Sequence, residues 1–138
     1  SIESLLEAAR TDLSGTCNSI TFTNEFLQRN EITGDGLDDA VVDYRGLVCD
    51  GSSMMYCGSA GCAMNIYVQR TDGSFLKAGG MHAHALEFDR PDPKEPSFLA
   101  YLHGNECGRS GAEACIIRFA IRDGQIVELG EVESSPEE

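Results

Sequence analysis

Apolar residues over the first thirteen positions recur with a helical period: Ile2, Leu5, Leu6, Ala9 and Leu13 share one face, and Glu3, Glu7 and Arg10 lie away from it. A helix over residues 1–13 is expected, started by a capping box at Ser4 with Glu7 or by Ser1, and closed near Ser14-Gly15 by a left-handed glycine. Beyond it the period shortens to two. Ile20 and Phe22 alternate within Ser19 to Thr23, and Phe26-Leu27 marks a further short strand. Ala40 to Cys49 reads as a strand that buries Val42, Tyr44 and Leu47 and turns Asp43 and Arg45 to water. Met64 to Arg70 places Ile66 and Val68 on one side and Asn65 and Tyr67 on the other. Thr71-Asp72-Gly73-Ser74 then turns the chain into a return strand at Phe75-Leu76. Met81 to Phe88 and Ser97 to His103 are strands separated by residues 89–96, whose prolines keep that connector out of any ladder. Ile116 to Arg122 and Gln125 to Val132 alternate around Asp123-Gly124, the turn chemistry of a type I′ hairpin.

These elements predict one domain over residues 1–138: an α+β fold, mainly an antiparallel sheet of six to eight strands, with the N-terminal helix packed on it. The Gly-, Ser- and Cys-rich stretch Asp50 to Ala63 reads as a pinned loop, with Met54, Met55 and Tyr56 packing beneath it. Gly104 to Cys115 is a second such loop, and the acidic tail over residues 131–138 is expected to fray.

Cysteine usage changes this picture most. Cys17, Cys49, Cys57, Cys62, Cys107 and Cys115 make an even number, and spacing pairs Cys57 with Cys62 and Cys107 with Cys115, leaving Cys17 and Cys49. A thiolate zinc site is the rival reading, but no C-x-x-C pair occurs, which favours a disulfide framework. Disulfides imply an oxidising compartment, so a periplasmic or secreted bacterial protein is expected, its signal peptide removed. No apolar run is long enough to span a membrane.

Charge narrows the partners. With 23 acidic and 10 basic residues the formal charge is −13, which repels phosphate backbones and makes nucleic acid an unsuitable partner. Cations and basic proteins suit it better.

One acidic stretch has the spacing of a cation loop. In Glu31-Ile32-Thr33-Gly34-Asp35-Gly36-Leu37-Asp38-Asp39, alternating oxygen side chains precede a glycine that permits a sharp turn, which makes Glu31, Thr33, Asp35 and Asp39 candidate calcium ligands. An EF-hand would close with Glu where Val42 stands, so this is not one. The loop feeds the apolar run Ala40-Val41-Val42. In that context it resembles the D-x-N-G-D-G-x-x-D loop of FG-GAP and related β-propeller repeats. It is also similar to a group of small cysteine-bearing exported bacterial proteins with one such loop and a following C-G-x-x-G-C segment, here Cys57-Gly58-Ser59-Ala60-Gly61-Cys62. The resemblance spans residues 31–62 and implies a calcium-supported β scaffold without implying an activity. The chain is too short for a ring of four-stranded blades.

The three histidines suggest a second ion. If Phe88 pairs with Ser97, His82 faces His103 and His84 faces Tyr101, so His82, His84 and His103 share one sheet face and can offer three imidazoles to zinc or copper. That site depends on register, since a slip of one residue turns every side chain over.

Catalytic motifs are scarce. G-x-S-x-G and a phosphate-binding glycine loop followed by Lys and Ser or Thr do not occur, and paired cysteines are not nucleophiles. The expectation is a noncatalytic exported binding protein of the inhibitor or immunity type, whose acidic surface meets a basic protein. A transition-metal protein using the three histidines is the alternative.

Overall fold

The computed structural model describes residues 1–88, 94–108 and 113–132. Helix α1 covers Ile2–Leu13 and starts at Ser1, whose hydroxyl accepts from the Ser4 amide while the Ser4 side chain meets the Ser1 amine. Such a cap is worth about 1 kcal/mol. The exit departs from expectation. Ser14 stays right-handed at φ −62°, and Thr16 and Cys17 both donate to the Leu13 carbonyl, so no left-handed glycine is used.

Eleven strands follow among the described residues: β1 (Ile20–Phe22), β2 (Leu27–Asn30), β3 (Asp39–Asp43), β4 (Leu47–Cys49), β5 (Cys57–Gly58), β6 (Gly61–Gln69), β7 (Phe75–Ala83), β8 (Ala85–Glu87), β9 (Ser97–Leu102), β10 (Cys115–Arg122) and β11 (Gln125–Glu131). All the pairings are antiparallel. They form a β1-β4 pair, a four-stranded sheet in the order β11-β10-β9-β8, and a five-stranded sheet around β6, which is flanked by β3 and β5 on one edge and β7 on the other. The α+β, mainly antiparallel, disulfide-linked architecture is the one the hydrophobic pattern predicts.

The strands outnumber the predicted six to eight partly because two long runs are broken. Ala40 to Cys49 is interrupted by a 310 turn at Tyr44–Gly46, which the Asp43 carboxylate caps by accepting from the Arg45 amide at 2.9 Å. Met81 to Phe88 breaks at His84, where the chain passes from one sheet to the other. The interval between Leu76 and Met81, by contrast, closes into a single strand running through Gly79-Gly80.

The five-stranded sheet is covered on both faces. Val41, Met64 and Ile66 join Phe98, Ala100, Leu102 and Ile117 of the four-stranded sheet in one apolar cluster. Val42, next along the strand, packs on the opposite face with Ala9 and Leu13 of α1, Phe26 and Leu47. The layers are therefore helix with the small pair, central sheet, then outer sheet. Because β3 is central, all five of its residues are buried, Asp43 included, which corrects the expectation that Asp43 faces water. Asp43 is paired with Arg45, whose guanidinium lies 3.5 Å from it and also donates to the His84 carbonyl.

Three disulfides are formed, Cys17–Cys49, Cys57–Cys62 and Cys107–Cys115, and no cysteine is free. The first ties the end of α1 to β4 and the second crosses the β5-β6 hairpin. The Asp123-Gly124 turn has φ of 51° and 75°, the positive pair that a type I′ hairpin requires. Met54 and Met55 do not pack beneath their loop: they are 60% and 47% exposed, while Tyr56 alone reaches the helix-side cluster. Val132 still bonds to the Ile116 carbonyl at 2.8 Å, and the rest of the predicted frayed tail lies outside the described residues, as do residues 89–93 of the proline connector.

Candidate functional site

Strand β3 begins with the acid that the cation-loop spacing singled out. Asp39 is fully buried, and its carboxylate is taken up by the protein itself: one oxygen accepts from the Ile32 and Thr33 amides at 2.9 and 3.0 Å and from the Thr33 hydroxyl at 3.1 Å, the other from the Gln69 amide at 2.9 Å. Three of these bonds fall on one oxygen and one on the other, so the first oxygen is taken up by the loop while the second accepts only from Gln69. These bonds fold the acidic loop back onto the mouth of β3 and fasten it to the end of β6.

The other loop residues cap local backbone. Glu31 accepts from the Gly36 amide at 3.1 Å and Asp35 from the Leu37 amide at 2.9 Å, and both are exposed. Gly34 and Gly36 take φ of 71° and 85°, the turn geometry expected of them. Of the four proposed ligands, Glu31 and Asp35 carry the remaining carboxylate oxygens, Thr33 is bonded to Asp39, and Asp39 acts as an anchor. Asp39 anchors the loop through these bonds, and Glu31 and Asp35 are the exposed carboxylates of the four.

The histidines are not brought to one face. His82 lies in β7 opposite Ala63, because β7 pairs with β6 and not with β9. On the other side of the break, Ala85 stands opposite Tyr101, one residue away from the predicted register. The slip has a local cause: the His84 amide donates to the Tyr101 carbonyl at 2.8 Å while its own carbonyl accepts from Arg45 at 2.7 Å, which holds the crossing point in place. Gly61 packs against the same place. A Cβ there would lie 2.2 Å from the Ala83 carbonyl oxygen, and the backbone has φ of 92°, so only glycine lets the hairpin approach so closely. His103 instead caps the 310 turn Gly104–Cys107, its Nδ1 accepting from the Asn105 amide at 3.3 Å. Among the described residues no group of three or more His, Cys, Asp or Glu side chains is placed to hold a metal ion.

A different site emerges between the two larger sheets. A groove of about 560 Å³ is lined by Ala78, Gly79, Gly80, Met81 and His82 of β7 and by Leu102, Glu106, Ile117, Phe119, Ile126 and Glu128 opposite. Its size lies in the range of ordinary ligand sites. Leu102, Ile117 and Phe119 supply an apolar floor, and Glu106 and Glu128, both exposed, place carboxylates at its rim. Glu106 comes from the 310 turn whose last residue, Cys107, is crosslinked to Cys115 at the start of β10. Glu128 sits opposite Phe119 in the β10-β11 ladder. Chain spacing does not join these two acids; the Cys107–Cys115 link and the hairpin do. One signal was nonetheless present, since paired glycines within an otherwise strand-like stretch mark a close backbone approach. Gly79 faces Ile126, whose Cδ1 would be 2.9 Å from an added Cβ, and Gly80 faces the Asn65 carboxamide at 2.4 Å from one.

Compared with protein-family models, with curated proteins and with solved structures, the chain matches none. What the site offers is therefore read from its own chemistry: carboxylates of Glu106 and Glu128 beside the apolar side chains of Leu102, Ile117 and Phe119.

Proposed function

We propose that the chain is a noncatalytic binding protein of an oxidising compartment, periplasmic or secreted, that recognises a basic protein in the manner of an inhibitor or immunity protein. The observation that carries this reading is the groove, with Glu106 and Glu128 at its rim on a chain of formal charge −13. A field of that sign steers a cationic partner and discriminates against acidic ones. The fully paired cysteines support the compartment, because such crosslinks persist where thiols are oxidised. They also leave no thiol for chemistry. Among the described residues no helix is long and apolar enough to cross a membrane.

Calorimetric titration against a panel of purified basic and acidic proteins tests the reading. Binding of basic members only, weakening steadily as salt is raised, is expected. Failure to bind any basic member at low salt, or binding indifferent to salt, rejects it.

A further inference from the structure

Successive side chains of a strand point to opposite faces, so a groove over one face of β7 would touch every second residue. Beyond the bulge at Ala78, this groove touches Gly79, Gly80, Met81 and His82 in unbroken succession. It therefore runs along the edge of the strand, where the backbone itself is presented. Among the described residues β7 pairs only with β6, so that edge has no ladder partner. Open edges are ordinarily guarded by charge, and Lys77 does so at one end, but Gly79 to His82 carry no side chain of fixed charge and two have no side chain at all.

We infer that the groove takes an extended segment of the partner as an added strand on β7, with basic and apolar side chains alternating along it. This rests on the binding role proposed above and specifies how the partner is held. The basic set faces the outer sheet, where its apolar stems lie on Leu102, Ile117 and Phe119 and its charged ends reach Glu106 and Glu128 on the same side; the apolar set points the other way. Main-chain hydrogen bonds to the edge supply affinity, and the alternation supplies selectivity. A second copy of the same chain is a poor occupant, because it brings the same charge of −13 to an acidic rim.

The probe is a short synthetic peptide alternating lysine and valine, its binding followed by fluorescence anisotropy beside the basic-protein panel. Three controls accompany it: the peptide N-methylated on alternate amides in each of the two frames, a glutamate-for-lysine peptide, and the variant Glu106→Gln/Glu128→Gln. The lysine peptide should bind, the glutamate peptide should not, and one N-methylated frame should lose about tenfold or more through its missing main-chain bonds. The double variant should weaken binding by up to about fivefold for each charge removed, with the near-ultraviolet dichroism of the fold unchanged. Equal binding of both N-methylated frames overturns strand addition, and full affinity in the double variant overturns the placement at this groove. If basic proteins bind but the lysine peptide does not, the inference fails and the proposed function stands. If neither binds, both fail.

Discussion

The acidic loop and the groove use carboxylates in opposite ways. In the loop, acids close in sequence are turned inward or onto neighbouring amides, and Asp39 accepts four bonds from Ile32, Thr33 and Gln69. In the groove, Glu106 and Glu128 are contributed by elements far apart in the chain and stay exposed over apolar side chains. Buried carboxylates with full sets of donors hold a fold together, whereas exposed ones beside an apolar floor remain available to a ligand. Spacing along the chain points to the first region as a cation loop; the groove, which spacing does not show, is the basis of the binding role proposed above.

The contrast breaks most readily at Asp39. Asp39→Ala strands the buried amide of Ile32 and the part-buried amides of Thr33 and Gln69 and is expected to cost about 4 kcal/mol in urea unfolding. A loss under about 1 kcal/mol would mean that the anchor is not one. Next in size is Gly61→Ala, which forces a methyl into the Ala83 carbonyl at a left-handed position and should cost about 3 kcal/mol. Because Gly61 sits behind the end of β7, that variant should also weaken whatever binds the groove, and unaltered binding in a destabilised protein would separate the hairpin from the site.

Alkaline titration sharpens the other face of the central sheet. Burial raises the phenols of Tyr44 and Tyr67 above their ordinary value of 10.0, helped for Tyr44 by neighbouring Tyr67 and for both by Asp12. The folded state holds these protons more tightly than the unfolded chain, so stability is intact below pH 10.0 and falls as pH rises from there through the raised folded values. Phenolate absorbance should show these two titrating late, together with unfolding, and a single unshifted transition for all tyrosines would contradict it.

The smallest effects are expected at the ligand-facing acids. Glu106→Gln and Glu128→Gln should each change stability by no more than about 0.5 kcal/mol, as exposed substitutions do, while altering binding. Chelation is a parallel check on the loop. A calcium ion at a hundredfold excess over its Kd would add about 2.7 kcal/mol, whereas a loop held by Asp39 should keep its melting temperature in EDTA. A fall reversed by calcium would instead support the cation loop of Glu31, Thr33, Asp35 and Asp39.

The chain's own pattern was enough for much of this molecule. Helix α1, the β6-β7 and β10-β11 hairpins and the Cys57–Cys62 and Cys107–Cys115 pairs were legible because each depends on residues near one another: a 3.6 or two-residue period, a Ser cap, a turn pair such as Asp123-Gly124, or cysteines a few residues apart. Cys17 and Cys49, 32 residues apart, were left over by that spacing, and the fold joins them. Only the fold decided what lay between distant elements. It buried Asp43 by making β3 central, exposed Met54 and Met55, shifted the β8-β9 register through the bonds of His84, and so parted the three histidines. It also brought Glu106 and Glu128 to a shared rim. Local rules describe which way a side chain points on its own strand; which strand lies beside it depends on packing among segments that the local pattern does not connect.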